Sequence, residues 1–586
     1  MQKISKKRSP GSEFIRSYEN MRGMNLTAGK ENTQCFGYLE NMYVDYEGGG
    51  GAVESIPGYR RIYSFDAPIH LICSVGEHLL IHSGENLFKL RKEARDNPPA
   101  LQPVATLADC DSRCFRIGGS MVIFDGNKAI RANREGELCE LALSEEVAAC
   151  TAGTIHEGRL LLTSSISAPG VLFCAEGDEE NLSISPCFKL PRDTLNIASA
   201  YGYLWAFTTD SVLGYRRING EFIEEIRLGG IRPTGEVAHL YNELVFLCNS
   251  GLYSLSVTNG AELKRISVAI NTMLLNENLF SARLCVWRGY LLVCVDGRMY
   301  MADSRDRITS DDLNEYRWYY LSGIGSYRGD KRVYRYAETA PEEFAVQAHP
   351  GRIAEGEIMS LFTHDGEKIY FVNSSDKKFA VYPTEQMIGG RFFPANCMCE
   401  SEDLLFFGTE CGDLCLFNND MRGKPPRRAA MWDGFDNESY LAETKSKIHP
   451  DYYSFCGHAP RYALLTPPDR CGMPFNKKSD VPSALELKLK SFPSATIKVE
   501  TRYDGGAYEP MGQITGSSFD FYNIDFSSYS STSEELSGVI LPQKRVGWNE
   551  KQISIYSDEF CSPFGIYSIC FAYKASKTKN HYKKGK

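Results

Sequence analysis

Two groups of residues have the types and spacing from which a metal centre could be built. Cys397, Cys399, Cys411 and Cys415 fall in one short apolar stretch. In extended chain alternate residues share a face, so each pair would point one way. Their spacing matches no usual zinc knuckle, and packed free thiols are the favoured reading. Cys456, His458 and Cys471 lie in a segment rich in Pro, Gly and aromatic residues. A metal there could staple chain that has little core of its own, but a structural zinc takes four ligands and only three are present. The sequence holds no HExxH, GxSxG, P-loop or CxxC motif, which removes the sequence-visible metalloprotease, hydrolase and NTPase chemistries. The GxG at Gly323–Gly325 opens no helical pattern and reads as a turn. Gly48 to Gly51 sits between extended segments and reads as a surface loop, because a phosphate cradle must lead into a helix. No catalytic, cofactor-binding or metal residue is therefore assigned, and the chain reads as a structural protein rather than an enzyme.

The elements around these residues follow one recurring unit: an apolar strand, a tight turn, a second apolar run, another turn and a further strand. Copies start at Ile69, Cys114, Ala152, Ala198, Ala238, Ser281, Ile358 and Cys397. Most are about 40 residues apart, the length of a four-stranded propeller blade. The gap between Leu291 and Ile369 is nearly double, so it holds an insertion or an atypical blade containing YRWYYLSGIGSY from Tyr316. Central strands are apolar on both faces, as a blade sandwiched between neighbours requires. Outer strands alternate, as in Leu252, Ser254 and Ser256 against Tyr253, Leu255 and Val257. Asp125-Gly126, Asn249-Ser250-Gly251, Asp296-Gly297 and Asp365-Gly366 supply hairpin turns. From Ala484 a second region alternates with period two and turns over Asp504-Gly505-Gly506, which suits an antiparallel sandwich.

The expected fold is all-β: a propeller of about seven blades followed by a C-terminal antiparallel β-sandwich. The domains read as an N-terminal arm over 1–35, the propeller over 36–422, an irregular linker over 423–483, the sandwich over 484–575 and a basic tail over 576–586. Net charge is −9, which argues against duplex binding through phosphate neutralisation. No run of eighteen apolar residues occurs, so no membrane span is expected. Met1 to Ser12 is basic without the apolar stretch of a signal peptide and reads as a flexible arm. The 19 cysteines are scattered singly through apolar runs. That is how buried thiols are used in a reducing cytoplasm, and it gives no disulfide framework.

Gly23-Met24-Asn25-Leu26, then CFGYLENMYVDYE from Cys35 and SIPGYRRI with Pro57-Gly58, resemble the opening of β-propeller proteins of phage and prophage virions. Those relatives include the tail nozzle and packaged-DNA-stabilising proteins of short-tailed phages and propellers of Firmicute prophage tails. AMWDGFDNESYLAETK around Trp432 and VGWNEKQISIYSDEFCSPFGIYSICF around Trp548 resemble the exit segment and appended sandwich of the same group. The resemblance implies a virion protein of the tail or head-to-tail conduit, assembled in the bacterial host cytoplasm. It further implies a homo-oligomeric ring, tail or adaptor proteins as partners, and DNA passing through a lumen without specific binding. A net acidic lumen would repel phosphate and let DNA slide. The alternatives are a receptor- or glycan-binding propeller and, behind it, a propeller glycosidase. The S-x-D-x-G-x-T-W turn of sialidase blades has no copy here.

Overall fold

The structure, a computed structural model, describes residues 13–26, 34–44, 51–96, 98–164, 166, 168–176, 183–257, 260–310, 313–329, 331–336, 346–347, 358–362, 368–373, 379–380, 383–421, 453–490, 496–515, 535–559 and 562–576. Two compact units emerge, one of 59–331 with 389–420, the other of 1–58, 332–388 and 421–586.

The first unit is a seven-bladed propeller. Six antiparallel four-stranded sheets follow one another in chain order, from Ile69–Val75 through Leu313–Leu321. The seventh joins Arg391–Ser401, Leu404–Thr409 and Asp413–Phe417 to Tyr59–Ser64, with Gly325–Arg328 added beside its inner strand. The ring is thus closed by the first strand of the unit, in register Asp413↔Ser64 and Phe417↔Tyr59. Burial falls into tiers that explain the sequence pattern. Second strands such as Tyr203–Thr208 and Tyr290–Val295 are buried throughout, because both faces meet a neighbouring blade. Each fully buried large apolar side chain there contributes roughly 1.5–3 kcal/mol. Outermost strands such as Glu221–Gly229 alternate between exposed and half-buried residues, whereas inner strands such as Arg283–Trp287 are mostly half-exposed and line the channel. Seventh and first blades meet closely at Gly408, where a Cβ would lie 2.7 Å from that of Ile69. Asp296 and Gly297 both take positive φ, as the two-residue hairpin turn requires.

Several expectations about element placement are corrected. The copy from Ile358 is not a blade: Ile358–Phe362 and Lys368–Asn373 pair in a separate four-stranded sheet with Val346–Gln347 and Phe379–Ala380. The long gap is the insertion alternative, since Tyr316 to Tyr320 belongs to the outer strand of the sixth blade, Leu313–Leu321. Gly251–Val257 is a third strand buried on most positions, and the alternating outer strand of that blade is Ala261–Arg265.

The second unit is a β-sandwich assembled from both ends of the chain. One sheet runs Met42–Val44, Val53–Ser55, Gly565–Ala575, Lys478–Lys490 and Glu535–Leu541, with Glu13–Glu19 also on Gly565–Ala575 and Val546–Trp548 on Lys478–Lys490. The facing sheet runs Tyr38–Glu40, Tyr462–Leu465, Lys551–Ser557, Thr496–Tyr503 and Tyr508–Thr515. Leu39, Val44, Leu464, Leu485, Leu487, Val499, Ile555 and Phe571 fill its core. The sandwich is therefore wider than 484–575. It takes strands from the segment read as an arm (1–35), from the start of the proposed propeller (36–58) and from the proposed linker (423–483). Glu13–Glu19 looks polar in one dimension, yet Tyr18 is buried and Phe14 stacks on Tyr573 at 5.5 Å. The segments before Glu13 and after Ser576, and the stretch around Trp432, lie outside the described residues.

Candidate functional site: the mouth of the propeller channel

Three inner strands place a charged residue at one register, four positions before the strand ends. These are Arg113 in Arg113–Ile117, Glu236 in Pro233–Leu240 and Arg283 in Arg283–Trp287. They come from the second, fifth and sixth blades, so Arg283 meets Glu236 from the adjacent blade, whereas contacts to the second blade cross the channel. Arg113 and Arg283 each reach Glu236 Oε1 at 3.5 Å. Glu236 Oε2 also accepts from the Leu284 N–H at 3.2 Å. Arg283 donates to Asp111 Oδ2 at 3.0 Å, on the loop entering the second blade. That loop is held from the first blade by His70, whose Nε2 lies 2.8 Å from Asp109 and whose Nδ1 lies 3.6 Å from Asp111.

The electrostatics follow from these contacts. Asp111, itself fixed by Arg283, does most to raise His70 above the usual histidine range; Asp109 adds to it and partial burial opposes it. Reciprocally, the His70 contact, then Arg283 and Arg113, holds Asp111 below the usual carboxylate range. His82 packs 5.0 Å from His70 between ring centroids and bonds Ser112 Oγ through Nδ1 at 2.8 Å. Burial, with the neighbouring His70, brings its pKa down to about 4. The carboxylates are neutralised by Arg and His rather than set apart as an acid and a base. The arrangement is a lock across a channel.

The channel has a different character toward its other end. Arg116, His239 and Glu400, each one residue before the end of its inner strand, are exposed. Between the two ends, Cys285, Cys399 and Cys73 occupy one register, two residues before the strand ends, in the sixth, seventh and first blades. Cys114 stands one residue nearer the mouth in the second.

The residues singled out by sequence are dispersed. Cys397 and Cys399 lie on the inner strand of the seventh blade, where burial pushes the Cys397 thiol up to about 12. Cys411 sits in a turn with Sγ 3.2 Å from Ser326 Oγ and 3.4 Å from Asp413 Oδ2, and Cys415 is buried in the blade. In the sandwich unit, Cys456 takes φ 50° in the turn closed by Phe455 and His458, while Cys471 is buried and donates its N–H to Asp469. Among the described residues, no three His, Cys, Asp or Glu side chains are grouped to hold a metal ion. A shallow depression of about 80 Å³ on the sandwich is lined by Pro468, Arg502, Asp504, Gly505, Glu550 and Gln552. Asp504 there is engaged by the N–H groups of Asn549 and Glu550, which makes it a turn anchor. Sequence reasoning missed the mouth network. Its signal is visible only when the blade copies are aligned on their hairpin turns, which puts Arg113, Glu236 and Arg283 in one layer.

No family model and no curated protein matches the chain. Solved structures resemble it at low identity. A streptogramin B lyase is 9% identical with a TM-score of 0.33, covering 62% of this chain and 97% of that one. A virginiamycin B lyase from Staphylococcus aureus with quinupristin is 10% identical with a TM-score of 0.34, covering 61% and 98%. The Pan2 WD40 domain of Neurospora crassa is 8% identical with a TM-score of 0.34, covering 61% and 94%. At these values the likenesses carry no functional argument, and the propeller stands on its own sheet topology.

Proposed function

We propose that this chain is a structural component of a bacteriophage tail or head-to-tail conduit, working in several copies through shape and interfaces. The observation behind this reading is that segments with the virion-protein resemblance, from both ends of the chain, co-fold in one sandwich. Met24 bridges to Phe36, Tyr38–Glu40 pairs with Tyr462–Leu465, and Val53 pairs with Ile566. The propeller is thereby an insertion in a module that both termini build. Ion pairs cross the propeller's own channel, so any lumen for DNA would be bounded by several copies. A receptor- or glycan-reading role is the second reading. It is favoured by Tyr201 and Tyr241, which are exposed at the same turn of adjacent blades and offer ring faces for stacking. Electron microscopy of the purified protein beside phage particles from the same source tests the first reading. Closed rings, or matching density in a tail, are expected; a monodisperse monomer absent from particles would overturn it and favour the second.

A further inference from the structure

The core of the sandwich holds a lysine and an aspartate that the proposed assembly does not use. Asp480 lies on Lys478–Lys490 of one sheet, and Lys551 opens Lys551–Ser557 of the facing sheet. Both side chains are 0% exposed, and Nζ stands 3.2 Å from Oδ1. Pairs such as Lys92–Glu402 and Lys498–Asp558 reach solvent, which stabilises their charges. Here the rings of Phe571, Tyr503 and Trp548 stand around Nζ instead, at 4.5, 5.5 and 5.9 Å. Burial, opposed by Asp480, brings Lys551 below the usual lysine range, towards the neutral amine that is nucleophilic. Taking an ion pair out of water is costly, and uncharged groups in its place are often as stable or more so. The surrounding groups serve each atom of an amide-forming condensation. Gln543 Oε1 accepts from Nζ at 2.6 Å, and its own amide N–H groups are fixed on the Val481 and Ala572 carbonyls at 2.9 and 3.1 Å. Trp548 Nε1 donates to Oδ1 at 3.1 Å, where a tetrahedral intermediate would gather charge. The Tyr503 hydroxyl and the Arg545 N–H donate to Oδ2 at 2.6 and 3.1 Å, on the oxygen that would leave.

We propose that Lys551 and Asp480 condense to an intramolecular isopeptide bond that ties the two sheets of the sandwich together covalently. One ammonium proton passes to Oδ2, which leaves a neutral amine facing a carboxylic acid. The Nζ lone pair attacks Cγ, and the carbonyl electron pair moves onto Oδ1 beside the Trp548 N–H. The nitrogen then gives up a second proton to Oδ2, the Cγ–Oδ2 bond breaks, and Oδ2 leaves as water. Nothing is oxidised or reduced, and no co-reactant is consumed. The remaining amide N–H keeps Gln543 Oε1 as its acceptor, and the core is left without a buried charge pair.

The inference stands apart from the virion reading and is tested on the full chain. Intact mass spectrometry of the denatured protein should read one water below the mass of the sequence. Tryptic mapping should leave the chain uncut after Lys551, in a branched peptide that joins it to the segment holding Asp480. Lys551→Met should restore the full mass. Even where that variant folds poorly, the unmodified sequence decides the matter by its own mass and map. The full mass, a water lost within the Asp480 segment alone, or an ammonia lost through a bond from Lys551 to Gln543 would each overturn the proposal.

Discussion

Joining the two ends of the chain in one sandwich makes Asp469 the most exacting test of the architecture. Its carboxylate, 1% exposed, accepts from Arg16 Nε at 2.5 Å, from the Tyr18 hydroxyl at 2.7 Å and from the Cys471 N–H at 2.6 Å. Arg16 and Tyr18 come from the first described strand, more than four hundred residues away in sequence. Arg16→Met keeps an unbranched stem beside the Tyr18 ring but takes the cation from a buried anion. Breaking a buried pair in this way costs roughly 3–5 kcal/mol. Arg16 is 23% exposed, so solvent softens the loss, and about 3 kcal/mol is expected. Tyr18→Phe removes one charged hydrogen bond, leaves the ion pair, and should cost about half as much. The assay is hydrogen exchange on the full chain, read separately in each unit. Since each 1.4 kcal/mol is a factor of ten, Arg16→Met should speed exchange in Gly565–Ala575 about 100-fold where local opening governs it. Tyr203–Thr208, inside the propeller, should exchange as before. Unchanged protection of Gly565–Ala575 would refute the claim that the first strand is an integral part of the sandwich. Equal acceleration in the propeller would refute the separation into two units.

Two further outcomes are expected. Asp413 is buried at the strand that closes the ring and is held by Ser64 at 2.6 Å, Ser326 at 2.8 Å, Arg328 at 3.0 Å and Arg61 at 3.2 Å; Asp413→Ala strands these groups and should lower propeller stability by about 3 kcal/mol, with limited proteolysis releasing Tyr59–Ser64 first, and uniform resistance to protease would contradict it. At the channel mouth, His70 is raised in the folded state, so its contribution is complete below the unfolded value of 6.5 and fades as pH climbs through the higher folded value. His82 is lowered to about 4, so its stabilising effect is present above 6.5 and is lost as pH falls toward 4. Thermal melts across this range should peak near neutral pH, His70→Asn should flatten the alkaline side and soften the acid side, since His70 helps to lower His82, and an unaltered profile would show that the mouth does not couple to stability.

The propeller was legible in the sequence because its strongest physical demand is local. A strand buried on both faces needs a run such as Leu244 to Cys248, and a two-residue turn needs a pair such as Asp296-Gly297; both are written in adjacent residues. The same locality produced the false copy at Ile358. An apolar strand, a turn and another apolar strand report a hairpin, and a hairpin reads alike in a blade and in a separate sheet. What decides between them is the neighbour, and Ile358–Phe362 finds Lys368–Asn373 and Val346–Gln347 instead of a flanking blade. The N-terminal strand failed in the opposite direction. Glu13, Arg16 and Glu19 give Glu13–Glu19 a polar look, although its inward residues Phe14, Arg16 and Tyr18 are matched to Tyr573 and Asp469 from the far end of the chain.

The channel mouth shows why the site was harder to read than the fold. Arg113, Glu236 and Arg283 are individually unremarked charges at strand starts, where a solvated reading is the ordinary one. They become a unit only because blades two, five and six face one axis, and that relation depends on closing the ring through Tyr59–Ser64. A charge on an inner strand points into a space it shares with every other blade. Its partners are therefore set by register around the ring rather than by distance along the chain, as the Arg283–Asp111 contact across 172 residues illustrates. In a repeat that closes on itself, aligning the copies on their hairpin turns is thus the step that turns scattered polar residues into candidate sites.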